Sequence, residues 1–386
     1  MTKEEDKVFF QKVVSRTIST VTENNLKNVS YIGMYTFADC KSLQSVVIPT
    51  NVKSISFYAF KNCTSLESIN IPNSITSISM NAFENCTSLI SIEIPNSVTN
   101  IGEYAFSGCT SLTSINIPDN ISEIAYCAFK NCTSLESIEI PNSIIKIRSE
   151  AFRNCTSLAS ITIPNNIREF GGSEFQECTS LKSVIINNGI GSISPWMFSY
   201  CTSLTSITIP NSVTEIGIGA FINCTSLASI TIPNSVREIG EDVFKSCTSL
   251  VNVNIPNNIT VIENDTFYGC TSLTSIIIPD SIRKINGGGY AVIGNTKQRR
   301  GAFRNCTSLA SITIPNSVKE IGDQVFEDCT SLEIVTMLPT TPPTLGLDVF
   351  NGCDNLTIII VPVGCSNAYK TANGWSNYAD KIIETE

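Results

Sequence analysis

Residues 201–223 read CTSLTSITIPNSVTEIGIGAFIN, and residues 224–246 read CTSLASITIPNSVREIGEDVFKS. The second stretch repeats the first closely, 23 positions further along the chain. The cysteines show how far the repeat extends, because from Cys40 to Cys270 every interval between repeating cysteines is 23 residues. The next intervals are 36, 23 and 24 residues, so one unit carries an insertion of 13. A fixed period of this length is typical of a solenoid, in which each repeat forms one coil.

Each repeat predicts two extended pieces and one turn. The segment L-x-S-I-x-I alternates apolar and polar residues and is rich in β-branched side chains, which favours a short strand. Pro210 ends this strand because proline lacks the N–H that a ladder requires. Val213 and Ile216 lie in a second extended piece. Ala220 and Phe221 then precede the next cysteine at helical spacing, so we expect one short helical turn there.

The cysteine and histidine content excludes several kinds of site. The chain has sixteen cysteines and no histidine, which excludes Ser-His-Asp and Cys-His catalysis and all His-ligated metal sites. No pair of cysteines has CxxC spacing, so we expect no zinc site. We expect the repeating cysteines to be buried, reduced thiols that act as small hydrophobic side chains. The sequence therefore predicts neither a metal nor a cofactor.

The charge and the motifs argue against nucleic-acid binding and against catalysis. The formal net charge is -9 and the pI is about 4.8, so nucleic acid and anionic membranes are unfavourable partners. The chain has no P-loop, no G-x-G-x-x-G after a strand and no G-x-S-x-G. Paired carboxylates for glycoside hydrolysis need a cleft with a fixed separation, which a regular stack of coils does not offer. We predict that the protein is not an enzyme.

The repeat resembles a known family. The pattern L-x-x-L-x-L followed by Pro, and then I-G-x-x-A-F-x-x-C with a period of 23 residues, is similar to the BspA-type (Treponema pallidum-type) leucine-rich repeat over about residues 29–362. The resemblance implies a leucine-rich repeat solenoid, a β-rich, right-handed β/α superhelix with a parallel sheet on its concave side and short helical turns between strands. Members are typically surface or secreted proteins of bacteria and some protozoa, implicated in adhesion. The resemblance therefore implies a non-enzymatic binding or adhesion protein whose partner is a protein or glycan on a host or neighbouring cell.

The ends of the chain differ from the repeats and are expected to cap the solenoid. We divide the chain into an N-terminal capping helix with a degenerate first coil (1–28), a repeat array with an insertion at 286–300 (29–362) and a C-terminal cap (363–386). Val8, Phe9 and Val13 suit an amphipathic helix over residues 3–15, while Trp375 should fold over the last coil. The T-T-P-P-T-L run and the tail after it resemble the C-terminal cap of such proteins from gut Bacteroidota. Neither end offers a linker, so we expect one continuous array.

The sequence leaves the localisation and the biological setting open. The chain starts M-T-K-E-E-D-K without the apolar stretch of a signal peptide, and no run approaches 18 apolar residues. We expect the cell surface or secretion if a leader was removed, and otherwise a cytoplasmic or virion-associated protein. The S-R-T-I-S-T-V-T opening also resembles leaderless repeat proteins of phages and prophages. The alternative functions are therefore a structural or host-recognition component of a phage particle, or an intracellular protein-interaction scaffold.

The first candidate site is the outward column of the predicted strands. It includes Thr208, Thr231 and Asn254, and the column beside it is almost wholly serine. This surface is polar, has short side chains and is nearly without aromatic residues, so single contacts should be weak. Many equivalent contacts can still give avidity. The alternative is that these residues are only well-solvated strand residues.

The second candidate site is the insertion, N-G-G-G-Y-A-V-I-G-N-T-K-Q-R-R-G. It combines a flexible glycine run with Tyr290 and with the densest positive cluster of the chain, Lys297, Arg299 and Arg300. Insertions in repeats map to loops, and Arg with Tyr suits the acidic or planar groups of a partner. The alternative is a tolerated surface loop. We expect deletion of residues 287–300 to leave the thermal transition almost unchanged but to weaken partner binding.

The third candidate site is the irregular coil at 187–200. Asn187 replaces the usual proline there, and the run S-P-W-M-F-S-Y supplies Trp196 and Tyr200. With four further tyrosines they would form an aromatic flank in the first half of the array: Tyr35, Tyr58, Tyr104 and Tyr126. The alternative is that these rings only pack between neighbouring coils.

Overall fold

The computed structural model describes residues 13–293 and 296–384, and within residues 291–298 no side chain is described. The helix that the sequence predicts over residues 3–15 therefore lies almost wholly outside the described residues. Val13, which is buried, and Val14 are its only described helical residues.

The chain divides into two compact units, Met1–Ile190 and Gly191–Glu386. Each unit is a solenoid of parallel coils, which confirms the predicted fold class. The division into caps and array at residues 28 and 362 stays a prediction.

The coils of the first unit are joined by short parallel strands. They are β1 (Thr20–Val21), β2 (Ser45–Val46), β3 (Ser68–Ile69), β4 (Ser77–Ile78), β5 (Ser91–Ile92), β6 (Asn100–Ile101), β7 (Ser114–Ile115), β8 (Glu123–Ile124), β9 (Lys146–Ile147), β10 (Ser160–Ile163), β11 (Glu169–Phe170) and β12 (Ser183–Ile186). A short helix, α1 (Glu23–Leu26), follows β1. Strand partners lie one repeat apart, as Ser45 with Ser68 and Ser77 with Asn100. The two extended pieces predicted in each repeat thus form two separate parallel ladders.

The second unit continues this pattern and adds a hairpin. Its strands are β13 (Ser192–Ile193), β14 (Ser206–Ile207), β15 (Glu215–Ile216), β16 (Ser229–Ile230), β17 (Glu238–Ile239), β18 (Asn252–Val253), β19 (Val261–Ile262), β20 (Lys284–Ile285), β21 (Gly287–Ile293), β22 (Thr296–Gly301), β23 (Ser311–Ile314), β24 (Glu320–Ile321), β25 (Ile334–Met337), β26 (Thr344–Leu345), β27 (Ile358–Val361) and β28 (Ile382–Glu384). The parallel sheets run β13-β15-β17, β16-β18, β19-β20-β24-β26 and β23-β25-β27-β28. Only β21 and β22, within the described part of this unit, pair antiparallel.

The core of each unit consists of columns of identical side chains. In the coil that starts at Cys224, the buried residues include Leu227, Ile230, Val236 and Phe244. The phenylalanine rings stack from coil to coil, and in the first unit the centroids of neighbouring rings lie 5.2–5.8 Å apart. Burial of each large apolar side chain contributes roughly 1.5–3 kcal/mol. The repeat is therefore stable only when coils stack.

The predicted helical turn is wrong in detail. Cys224 N donates to Phe221 O at 3.0 Å, which closes a three-residue turn, but Phe221 N donates to Val243 O of the next coil at 3.0 Å. Gly219 and Asn223 have φ values of 60° and 58°, a left-handed conformation that interrupts a helix. Alternate N–H groups of each turn thus donate to carbonyls of the neighbouring coil. In a regular helix the same N–H groups would donate to carbonyls within the helix.

The cysteine column is buried, as predicted. None of the sixteen cysteines forms a disulfide, and all except Cys365 are buried. Most of the repeating thiols also act as donors: Cys63 Sγ donates to Phe37 O at 3.0 Å, and Cys247 Sγ donates to Phe221 O at 3.2 Å. A thiol fits this column because it is small and apolar and can still satisfy a carbonyl of the preceding coil.

The tail of the second unit packs against its last coils. A helix, α2 (Ser366–Thr371), and a 3₁₀ helix (Trp375–Tyr378) precede β28. Tyr369 and Trp375 are fully buried, and they donate to Pro339 O at 2.7 Å and to Pro343 O at 2.8 Å. The segment 339–343, which contains the T-T-P-P run, therefore anchors the tail. Among the described residues, no helix combines the length and the apolar character needed to cross a membrane.

Candidate functional site

The strand face is the surface formed by the exposed side chains of the L-x-S-I-x-I segments. Thr208 and Thr231 are exposed on it and lie opposite each other in neighbouring coils. Asn254 is exposed as well, but its amide is engaged with the backbone of the preceding coil. Its Nδ2 donates to Ile232 O at 2.8 Å, and its Oδ1 accepts from Ile232 N at 2.8 Å. Asn254 therefore continues the ladder with its side chain, whereas the two threonines display hydroxyl groups.

The strand face of the first unit contains two open depressions. The first has a volume of about 570 Å³ and is lined by Ser91, Ile92, Glu93, Ser114, Ile115, Asn116, Ser137, Ile138 and Glu139. The second, of about 780 Å³, continues it and is lined by Asp119, Ser137, Ile138, Glu139, Ile140, Pro141, Asn142, Ser143, Ser160, Ile161, Thr162, Pro164 and Asn187. Hydroxyl, amide and carboxylate groups repeat along both depressions. Sequence reasoning placed the exposed polar residues among them, such as Glu93, Asn116 and Glu139, in the outward column, but it did not predict the depressions.

The insertion is a hairpin, not a flexible loop. Strands β21 and β22 pair antiparallel, with Gly287 opposite Gly301 at the base and Tyr290 opposite Arg299. The side chain of Tyr290 is 58% exposed. Lys297 pairs with Val292 through the backbone, and its side chain lies outside the described part of the chain. The glycine run therefore forms the base and one strand of a defined element.

Arg300 is bound to three carboxylates of its own chain. Its guanidinium lies 2.8 Å from Glu241, 3.1 Å from Asp242 and 3.2 Å from Asp265. The side chain of Asp265 is fully buried, and it also accepts from Lys245 Nζ at 3.0 Å and from Gly301 N at 2.8 Å. Arg300 itself is only 16% exposed. Its charge is therefore compensated inside the protein.

Burial and charge shift several pKa values in this cluster. Burial raises the pKa of Asp242 above its usual value, although Lys245 and Arg300 lie beside it. Burial by itself lowers the pKa of Lys245 and Arg300, but their attraction to the surrounding carboxylates outweighs it and raises both pKa values. Both cations therefore stay charged near neutral pH.

Arg299 pairs with carboxylates that follow the hairpin in the chain, whereas the partners of Arg300 precede it. Its Nη1 lies 3.2 Å from Glu327 and 2.8 Å from Asp348. Arg304 shares Glu327 at 2.7 Å. The sequence predicted that the arginines of the insertion meet the acidic groups of a partner, whereas the structure pairs both with acidic groups of the coils on either side. Sequence reasoning missed these partners, because they lie up to 59 residues away.

The third candidate site keeps its aromatic rings at the surface. In the second unit, Trp196 is 44% exposed and Tyr200 is similarly exposed. Trp196 has φ 54°, and a Cβ atom on Gly219 would come within 2.6 Å of its ring. Only glycine in the next coil leaves room for this ring, so Trp196 packs between coils and remains accessible.

The tyrosines of the first unit form two pairs. Tyr35 and Tyr58 stack with centroids 4.7 Å apart, and Tyr104 meets Tyr126 edge-on at 5.2 Å. Packing between coils and partial exposure therefore coexist here as well. The four tyrosines therefore form two separate ring pairs and not one continuous row.

The described residues contain no group of three or more Cys, Asp or Glu side chains arranged to hold a metal ion. What the arrangement offers chemically is hydrogen bonding along the strand face, ring contacts at Trp196, Tyr200 and Tyr290, and charge pairing at the base of the hairpin.

Comparison with known proteins identifies the family. The family described as a BspA type leucine rich repeat region matches residues 9–133, 76–205, 123–250, 192–293 and 289–377. A solved structure of a leucine-rich repeat protein from Bacteroides ovatus is 32% identical, with a TM-score of 0.80 over 93% of this chain and 88% of its own. A leucine rich cell surface protein from Faecalibacterium prausnitzii is 26% identical, with a TM-score of 0.53 over 92% and 86%.

A third solved structure, the pneumococcal vaccine antigen PcpA, is 20% identical with a TM-score of 0.50 over 89% of this chain and 80% of its own, and it shows the fold alone. No curated protein matches the chain. The stacked phenylalanine and cysteine columns, the parallel ladders and the matches along the whole array agree, and the chain belongs to the BspA-type leucine-rich repeat family.

Proposed function

We propose that the protein is a non-enzymatic binding protein that presents its strand face to a protein or glycan on a host or neighbouring cell. The observation that carries the proposal is the pair of depressions on the first unit, where polar groups repeat at the spacing of the coils. An open surface of short polar side chains suits many weak contacts, which add up through avidity.

The chemistry of the depressions favours an extended partner with many hydrogen-bonding groups. Serine hydroxyls such as Ser114 and Ser137 alternate there with the carboxylates of Glu93 and Glu139. Spacing between neighbouring coils is about 4.8 Å, so a chain-like ligand can meet equivalent groups at regular intervals. Both a polysaccharide and an extended polypeptide meet this requirement.

The cell surface is the location that fits this function. The similar Faecalibacterium structure is described as a cell surface protein, and the family resemblance points the same way. Tyr290, Trp196 and Tyr200 supply further contact groups, because their rings are exposed. Lys297 belongs with them as a candidate from sequence. Arg299 and Arg300 instead form ion pairs with the coils on either side of the hairpin.

A screen on glycan and protein arrays tests the proposal when it is combined with a blocking variant. Ser114→Trp places a large side chain in the first depression, and Thr76→Trp places the same side chain at an exposed position directly before β4, away from the depressions. We expect the arrays to reveal a ligand whose binding signal falls at least roughly tenfold with Ser114→Trp, because avidity is lost when several weak contacts are blocked at once. Thr76→Trp should leave the signal of the same ligand unchanged. A ligand that binds both variants equally would contradict the assigned face, and turnover on a panel of glycans and peptides would contradict a non-enzymatic role.

A further inference from the structure

The base of the hairpin is packed directly on the next coil. A Cβ atom on Gly287 would come within 2.0 Å of Asp323 O, and one on Gly301 would come within 2.1 Å of Gln324 O. Gly322 is equally confined, because its Cβ would meet Gly287 N at 2.4 Å. The chain thus leaves and re-enters the solenoid through positions that only glycine can occupy. An appended, tolerated loop does not need such close backbone contact.

The two arginines of the hairpin contact coils on opposite sides of the insertion. Arg300 contacts Asp265 in the adjacent coil and Glu241 one coil further toward the N-terminus. Arg299 contacts Glu327 in the following coil and Asp348 one coil beyond it. Together with the coil that carries the hairpin, these contacts span five consecutive coils.

This span differs from the usual energetics of a solenoid. In repeat proteins each coil contacts only its neighbours, so stability is a sum of single-coil and nearest-neighbour contributions, and coils can open from any weak point. A 13-residue insertion would be expected to create such a weak point. The ion pairs of Arg299 and Arg300 instead add couplings between coils two positions apart.

Burial makes the coupling on the N-terminal side the stronger one. Asp265 is fully buried, and its oxygens are satisfied by Arg300, Lys245 and the backbone N–H of Gly301. Removal of one partner from a buried charge is strongly destabilising, because the remaining charge loses its compensation. Arg299 is more exposed, and its contribution is correspondingly smaller.

We propose that the hairpin is a strap: Arg299 and Arg300 tie the coils on both sides of the insertion, so that the segment from Glu241 to Asp348 opens as one unit. In this arrangement the arginines have a structural role. The strap compensates for the weaker coupling between coils that the insertion would otherwise cause. The prediction is directional, since Arg300 supports the N-terminal side and Arg299 supports the C-terminal side.

Native-state hydrogen exchange of the full chain tests the strap. The reporters are inter-coil amides: Phe244 N and Phe267 N on the N-terminal side, and Phe326 N on the C-terminal side. We expect Arg300→Met to accelerate exchange of the first two at least roughly tenfold, because a buried carboxylate loses its partner. Arg299→Met should accelerate exchange of Phe326 N and leave Phe244 N unchanged.

Arg237→Met is the matched control, because it makes the same change of charge at an exposed arginine outside the strap. We expect it to leave all three amides unchanged. Should Arg300→Met fail to fold, Arg299→Met and the milder Arg300→Lys still decide the question. Faster exchange confined to residues 287–301, or identical patterns in all the variants, would overturn the proposal.

Discussion

The column of buried thiols predicts that the protein loses stability steeply in mild alkali. Burial raises the pKa of Cys132 and Cys178 in the first unit, and of Cys247 and Cys306 in the second, from about 9 to about 12. Well below pH 9 these thiols are neutral in the folded and the unfolded chain, so their contribution to stability is fully present. Above pH 9 the unfolded chain releases protons that the folded chain retains, and stability falls until the pH passes the folded pKa.

The expected loss is large compared with the stability of a domain. A thiol with these two pKa values removes about 1.4 kcal/mol from the free energy of unfolding by pH 10. Two such thiols in each unit remove about 3 kcal/mol, whereas a domain has roughly 5–15 kcal/mol in total. Burial shifts the pKa of further column members in the same direction, as at Cys86 and Cys270. The free energy of unfolding is therefore expected to fall measurably between pH 9 and pH 10.

Urea unfolding followed by circular dichroism, with a reductant present and the pH varied from 7.5 to 10, measures this dependence. Cys247→Ala should lower the free energy of unfolding at pH 7.5, because it leaves a cavity. Its further loss of stability between pH 7.5 and pH 10 should be smaller than that of the original protein by about 1.4 kcal/mol, because one of the titrating thiols is gone. Cys365→Ala, at a half-exposed thiol outside the column, is the matched control, because it leaves every buried thiol of the column in place. A free energy of unfolding that stays constant up to pH 10 would refute the reasoning.

Three further predictions concern single elements. Deletion of residues 287–300 should lower the urea midpoint, because Asp265 loses Arg300 as a partner; an unchanged midpoint would support the sequence-based expectation of a tolerated loop. Gly301→Ala should destabilise the second unit by about 1–3 kcal/mol, since the new methyl group collides with a backbone carbonyl, and a calorimetric transition equal to that of the original protein would exclude this packing. Asn254→Ala should cost about 1 kcal/mol through two lost hydrogen bonds, whereas Thr231→Ala should leave the unfolding midpoint unchanged; equal effects would show that the asparagine amide does not support the ladder.

The repeating columns made the fold predictable from the sequence. Phe244 and Cys247 have equivalents from Phe37 and Cys40 to Phe350 and Cys353. One short pattern, repeated, therefore specifies the strands, the core and the parallel register. The error in the turn has a physical origin, because Ala220 and Phe221 have the spacing of a helix and also of a turn that contains left-handed residues. Glycine and asparagine at positions 219 and 223 were the available signal, since both residue types favour that conformation.

The candidate site could be predicted only in part. The exposure of residues such as Thr208 and Trp196 follows from their positions in the repeat. The partners of Arg300 could not be inferred, because Glu241 lies 59 residues away and nothing in the local sequence marks the pair. For the same reason, the sequence predicted binding to a partner for arginines that the structure uses within the chain.

Alkylation followed by intact-mass measurement tests most directly the central claim that identical coils stack in register over a column of buried, reduced thiols. Under denaturing, non-reducing conditions we expect all sixteen cysteines to be modified, and under native conditions Cys365 alone. Disulfide-protected cysteines in the denatured sample, or rapid modification of many column cysteines in the native protein, would contradict the stacked solenoid.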